Sequence, residues 1–165
     1  MKKLLIIAVL VAGSFAGMAQ NDAGIRGFKI SGGIDLAIPA SNFSGFSIGA
    51  GVDLLGQYGV SDNVGITADA GYTAVFPKGG GTNLGIIPIR AGIRFYPSSS
   101  FYLGGKAGVG IFTGGGSSTS TTAYSFGAGY MISPKLDLGV SYDGYSKSGS
   151  SSGLVNVRLG YFFGN

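Results

Sequence analysis

Apolar residues alternate with small or polar residues along most of the chain after residue 25, and this period of two constrains the fold more than any other feature. Because successive side chains of a β-strand point to opposite faces, the alternation predicts strands with one apolar and one polar face. Turn-forming residues interrupt it at seven places, which predicts eight strands joined as antiparallel hairpins, with long loops on one rim and short turns on the other. The breaks are residues 39–45, 61–63, 77–83, 97–100, 114–121, 133–135 and 146–153.

The charged residues inside these strands all lie on the small or polar face, and none lies on the apolar face. Five are acidic and five are basic, so the polar face is formally neutral. These ten residues are Lys29, Asp35, Asp53, Asp69, Arg90, Arg94, Lys106, Asp137, Asp143 and Arg158.

Two closed eight-stranded barrels fit this pattern: a soluble, lipocalin-like barrel with the apolar face inside, and a membrane barrel with the apolar face toward lipid. Many of the 33 glycines lie on the polar face, which suits the narrow lumen of a membrane barrel. A soluble exterior would carry many Lys and Glu residues, and the chain has no Glu. Aromatic residues gather near the strand ends, as in interfacial girdles. They are Tyr58, Phe95, Tyr96, Phe101, Tyr130, Tyr161 and Phe163 on the short-turn rim, and Phe46, Phe76, Tyr124 and Tyr142 on the loop rim.

The N-terminus has the pattern of a secretory signal peptide. Lys2 and Lys3 precede an apolar run at residues 4–12 that is too short to span a bilayer, and small residues around Ala19 suit cleavage. We therefore expect a signal peptide at residues 1–19 and a barrel domain at residues 20–165. The chain has no Cys, which excludes a lipid anchor on cysteine as well as disulfides.

Two segments carry a resemblance to a known family. Residues 87–96 (IPIRAGIRFY) and 101–110 form a predicted hairpin, and residues 158–163 give the chain an aromatic end. Both resemble segments of the small outer-membrane β-barrel proteins of Gram-negative bacteria, which are similar in size to OmpX and the membrane domain of OmpA. The resemblance covers the chain from about residue 25 to residue 163.

The resemblance implies an all-β, eight-stranded, antiparallel up-and-down transmembrane barrel in the bacterial outer membrane. It also implies contact with outer-membrane lipid and lipopolysaccharide, and periplasmic chaperones during biogenesis. Gly160, Tyr161 and Phe163 match the signal that the barrel-assembly machinery reads in such proteins. Gly164 and Asn165 follow the last aromatic residue here, which departs from the family pattern.

Closing the sheet places the ten charges in one lumen. Asp53, Asp69, Arg90, Lys106 and Arg158 fall near mid-height along their strands, so we expect a buried ion-pair network that closes the lumen. A ring of basic residues that selects anions is the alternative.

Pro88 is unexpected inside a strand that pairs on both sides, because proline has no N–H to donate. A β-bulge or a lumen water would accommodate it, and a hinge is the alternative.

The side chains that most enzymes use are absent. The chain has no His, Cys or Glu, which removes most acid–base and nucleophilic chemistry, so we expect a non-enzymatic protein without cofactor or metal. Without Lys2 and Lys3 of the predicted signal peptide, the sequence has no cluster of basic residues that would bind nucleic acid. Three roles stay open: a barrel that contributes to the cell envelope, a narrow channel for small solutes, and an adhesion or binding module that acts through its loops. We expect a monomer.

Overall fold

The computed structural model describes residues 27–163, which form one closed antiparallel β-barrel in sequence order. Each strand pairs with its neighbours in the sequence, and β1 closes the barrel against β8. The predicted eight-stranded up-and-down fold is therefore confirmed. The predicted signal peptide lies outside the described residues. The strands are β1 (Gly27–Ser41), β2 (Phe46–Gly59), β3 (Val64–Pro77), β4 (Leu84–Phe95), β5 (Phe101–Gly114), β6 (Ser117–Ser133), β7 (Leu136–Lys147) and β8 (Ser150–Phe163).

The two faces of the sheet differ in polarity as the alternation predicts. Ile34 and Leu54 on the outer wall are each 61% exposed, whereas Asp69 and Asp137 inside are 5% and 0% exposed. An outer wall of exposed Ile, Leu, Val and aromatic side chains matches the apolar band of a membrane barrel. Because closure pairs both edges of every strand, few backbone N–H and C=O groups are left without a hydrogen-bond partner in contact with lipid. Within residues 27–163 there is no helix with the length and apolar character needed to cross a membrane.

Two of the predicted long loops are wrong. Residues 114–121 and 146–153 are mostly strand, and the chain reverses in two-residue turns at Gly115–Gly116 and Ser148–Gly149. All four turn residues have positive φ, from 49° to 85°, which is the geometry of tight hairpin turns. The Ser and Thr residues that resemble a loop in the sequence extend the β5–β6 and β7–β8 hairpins as paired strands. We call this end, with connections 42–45 and 78–83, the loop-side rim, and the opposite end the turn-side rim.

The interior is layered along the barrel axis. Beneath the loop-side rim lies an apolar layer in which Phe43, Tyr145 and Leu154 are buried and Phe46, Leu84 and Phe112 pack against them. Charged residues occupy the middle, and near the turn-side rim Leu55, Tyr96 and Phe162 are buried. Apolar side chains therefore lie at both ends of a charged centre.

Two of the predicted girdle residues face inward instead. Tyr96 is 5% exposed and its hydroxyl donates a hydrogen bond to Gln57 Oε1 at 2.9 Å. Phe46 is half-buried and packs against the loop-side apolar layer, because the register of β2 against β3 shifts between Phe46 and Ile48. Both residues lie at or beyond strand ends, where the alternation no longer fixes the side-chain direction.

Pro88 interrupts a strand pairing without shifting it. On the β5 side it pairs with Gly110 in continuous register. On the β3 side, pairing breaks after Ala70 and Ile89 and resumes at Thr73 and Ile86 in the same register. The β-bulge is therefore wrong: the strand omits pairing with β3 at the residue that lacks an N–H and continues in the same register. The lumen water, the other expected way to accommodate Pro88, stays a prediction.

A charge placed on the outer wall should impair membrane insertion. Val52 is 60% exposed on this wall, so Val52→Lys would put an ammonium group in lipid at a cost of about 2–4 kcal/mol near the midplane. We expect lower folding yield in lipid vesicles, measured by the heat-modifiable gel shift, and a normal yield for the control Val52→Leu. Equal yields for the two variants would contradict the assignment of faces.

Candidate functional site: the charged lumen

Eight of the ten predicted lumen residues form two groups of four, each with two carboxylates and two cations. Each group is formally neutral, which is the arrangement that burial of charge in a low-dielectric interior requires. The central quartet contains Asp69, Arg90, Lys106 and Asp143. The turn-side quartet contains Asp53, Arg94, Asp137 and Arg158.

The central quartet is organised around Arg90. Its Nη2 lies 2.7 Å from Asp69 Oδ2, and its Nη1 lies 3.0 Å from Asp143 Oδ2. Lys106 Nζ approaches the other oxygen of Asp69 at 3.3 Å. Ser125 donates to Asp143 Oδ1 at 2.6 Å, so the remaining oxygen of that carboxylate is also satisfied. Asp69 and Arg90 are directly opposite each other in the β3–β4 register, which explains their close pairing.

The turn-side quartet is organised around Arg158. Its Nε donates to Asp53 Oδ2 at 2.9 Å, its Nη1 donates to Asp137 Oδ1 at 2.9 Å, and its Nη2 donates to Ser31 Oγ at 2.9 Å. All three guanidinium nitrogens therefore have partners. Arg94 lies at a longer 3.5 Å from Asp137 Oδ2. Because Asp137 forms ion pairs with both arginines, it links residues of strands β4 and β8 across the lumen.

Glycine makes room for the Arg158 side chain. A Cβ built on Gly160 would collide with Arg158 Nη1 and Asp137 Oδ1, and one built on Gly33 would collide with Asp53 Oδ1 and Arg158 Nε. These two glycines lie opposite each other in the β1–β8 register. Because the interior of an eight-stranded barrel is just wide enough for side chains to fill, the missing side chains of Gly33 and Gly160 leave the space that the Arg158 guanidinium occupies.

The other two predicted residues lie outside the quartets. Lys29 lines a cavity of about 580 Å³ at the turn-side rim, together with Gln57 and Tyr96. Asp35 accepts a hydrogen bond from Asn156 Nδ2 at 3.1 Å, and no cation within residues 27–163 lies within 4 Å of its carboxylate. The structure thus divides the expected single network into two quartets and leaves one acid and one base apart.

The sequence analysis missed aromatic lumen residues that complete the site. The Tyr102 hydroxyl donates to Asp137 Oδ2 at 2.7 Å, and the Arg94 guanidinium lies 4.1 Å from the centre of the Tyr102 ring. On the other side of the charges, Tyr145 is buried against Phe112, with ring centroids 5.1 Å apart. Tyr102 and Tyr145 both alternate in phase with the residues of the polar face of their strands. That phase indicated in the sequence that both side chains point into the lumen.

The residues of the predicted assembly signal occupy both faces of β8. Tyr161 and Phe163 are on the outer wall, with ring centroids 5.7 Å apart, whereas Gly160 faces the turn-side quartet. Their recognition by an assembly machinery stays a prediction.

Small cavities adjoin the quartets. The cavities that adjoin the quartets measure only about 30 and 50 Å³, which is close to the volume of a water molecule. Within the described part of the chain, acidic side chains do not converge in threes as a metal site would need. The carboxylates of the quartets instead face cations.

A closed barrel with an apolar exterior and paired charges inside defines the class of transmembrane β-barrels. The sequence matches the family model described as the outer membrane protein β-barrel domain over residues 7–163. The chain belongs to this family, and it is an outer-membrane protein.

Solved structures of the same fold come from several bacteria. The crystal structure of Ail, the attachment invasion locus protein of Yersinia pestis, is 20% identical with a TM-score of 0.59, and the match covers 82% of this chain and 97% of Ail. Neisserial surface protein A is 18% identical with a TM-score of 0.59, over 82% and 97% of the two chains. The N-terminal barrel of Pseudomonas aeruginosa OprF is 14% identical with a TM-score of 0.58, over 82% and 97%. A search of curated proteins gives no match. At these identities the similarity concerns the fold.

Removal of the Arg158 charge from the turn-side quartet should destabilise the barrel strongly. Arg158→Gln leaves Asp53 and Asp137 buried with fewer partners, which costs about 3–5 kcal/mol when a buried pair is broken. The control Lys29→Gln removes a cation outside the quartets and should change stability by less than about 1 kcal/mol. Urea unfolding in vesicles measures both, and a similar loss for both variants would show that the pairing contributes nothing specific.

The two acids on neighbouring strands β1 and β2 should respond differently to neutralisation. Asp53→Asn removes a carboxylate whose two oxygens accept from Arg158 Nε, at a cost of about 2 kcal/mol. Asp35→Asn removes a charge without a cation beside it and should leave stability unchanged or raise it. Urea unfolding in vesicles measures this difference. A larger loss of stability for Asp35→Asn than for Asp53→Asn would contradict the prediction.

Proposed function

We propose that this protein is a non-enzymatic integral barrel of the outer membrane that contributes to the cell envelope and whose lumen is closed. The observation that carries the proposal is the pair of neutral quartets held between two apolar layers. An ion that entered would have to separate buried partners, and each separation leaves a charge uncompensated.

The proposal that the protein is not an enzyme rests on its side-chain inventory and on the use of its carboxylates. No His, Cys or Glu is present in the sequence. Asp69 and Asp137 each contact two cations. Carboxylates held in this way stabilise the fold rather than act on a substrate.

Export and assembly belong to the same proposal. Residues 1–19 act as a signal peptide that is removed after Ala19, and the mature barrel is assembled as a monomer by the barrel-assembly machinery with periplasmic chaperones. Gly160, Tyr161 and Phe163 form the assembly signal. Outer-membrane lipid and lipopolysaccharide surround the apolar wall, and no cofactor is bound.

A conductance measurement tests closure of the lumen. We expect no unitary current steps from the purified barrel in planar lipid bilayers. The control is the double variant Asp69→Ala with Arg90→Ala, which removes a neutral pair and enlarges the centre of the lumen, so it should admit small ions. Reproducible anion-selective steps from the unmodified protein would instead support the channel built on a basic ring.

A further inference from the structure

A cleft of about 340 Å³ opens at the loop-side rim, above the apolar layer. It lies between the projecting β5–β6 hairpin and the connection that precedes β4, with the start of β2 at its base. The cleft is separate from the quartets, and no charged side chain lines it. Its lining side chains are Phe46, Thr82, Asn83, Leu84, Phe112, Ser117, Ser118 and Thr119.

The floor of the cleft is aromatic and held in place. Phe46, Leu84 and Phe112 are half-buried, so part of each side chain remains accessible. Phe43 stacks against Phe112 with an interplanar angle of 14° and centroids 6.3 Å apart, and the edge of Phe112 meets Tyr145. Phe43 also meets Phe46 edge to face at 5.8 Å. Such packing fixes the floor before any ligand arrives, which lowers the entropic cost of binding.

The rim of the cleft carries polar side chains that make no hydrogen bond within residues 27–163. Thr82, Asn83, Ser117 and Thr119 make no side-chain hydrogen bond to the residues that the structure describes. Elsewhere on the same rim, Asn42 donates to the Ser151 carbonyl, and Thr113 and Thr121 donate to strand carbonyls. The cleft therefore combines neutral donors and acceptors at its edge with an aromatic floor.

From this combination we infer that the cleft binds an uncharged saccharide of the hexose type. The C–H face of a sugar ring is apolar and can pack on Phe46 and Phe112, while its hydroxyls can pair with amide and hydroxyl groups of the rim. A sulfated or phosphorylated ligand would find no cation in the cleft. A purely apolar ligand would leave the polar rim without partners. This role goes beyond the proposed function, because it uses only the outer rim and leaves the lumen closed.

Gly114 provides a way to fill the cleft. A Cβ built there meets only Asn83 O and Leu84 Cδ1, at 3.7 Å each, which is ordinary contact. Gly114→Phe therefore adds a ring at a position that lines the cleft, where the backbone leaves room for the Cβ. The matched control is Ser150→Phe, which adds the same ring to the exposed β7–β8 hairpin of the same rim.

The experiment measures binding of the folded barrel in lipid nanodiscs to immobilised oligosaccharides of glucose, galactose, mannose and N-acetylglucosamine. A sulfated heparin-like oligosaccharide and an unstructured peptide are the comparison probes. We expect at least one neutral oligosaccharide to bind the unmodified protein and Ser150→Phe equally. Gly114→Phe should abolish this binding, and Asn83→Ala should weaken it about 3- to 10-fold, as loss of one neutral hydrogen bond does.

The heat-modifiable gel shift shows that each variant is folded. If Gly114→Phe does not fold, Asn83→Ala and Thr119→Ala carry the test, since both side chains are exposed and unpartnered within the described residues. The inference is overturned if no neutral oligosaccharide binds, if binding survives in the folded cleft variants, or if only the sulfated probe or the peptide binds.

Discussion

The structure depends on one constraint, which is that every backbone N–H and C=O group within a membrane must find a partner in the protein itself. The pairing of β1 with β8 meets this constraint by closing the sheet. Closure then fixes the direction of the side chains wherever the strands pair regularly. In each strand, alternate residues face lipid and must be apolar. The residues between them face a lumen so narrow that their side chains contact one another. The paired charges follow from this geometry.

Buried charges are stable only when they are compensated, and the lumen compensates them locally. Each quartet is neutral by itself, so eight of the ten lumen charges are compensated within their own group. The turn-side quartet also depends on glycine, because Gly33 and Gly160 leave the space that the Arg158 side chain occupies. The apolar layers on either side keep this centre away from both rims.

The alternation alone predicts the number of strands, their faces and the inward position of the charges. It does not predict which charges meet, because partners such as Arg158 and Asp53 are not on paired strands and depend on the tilt of the closed barrel. The segments at residues 117–121 and 150–153 looked like loops because Ser, Thr and Gly dominate them, yet their backbone groups pair with the neighbouring strand of each hairpin. Phe46 and Tyr96 were expected in the outer aromatic girdles but face inward, because side chains stop alternating between the two faces where regular strand pairing ends.

The chain contains no Trp, so single Trp substitutions report the direction of a side chain without background fluorescence from other Trp residues. Val140→Trp places the indole on the outer wall, and Tyr102→Trp places it beside the turn-side quartet. In vesicles of lipids with brominated acyl chains, the account predicts strong quenching of the fluorescence at position 140 and little at position 102. Quenching at position 102 with none at position 140 would mean that the apolar face encloses the lumen, and it would contradict the account.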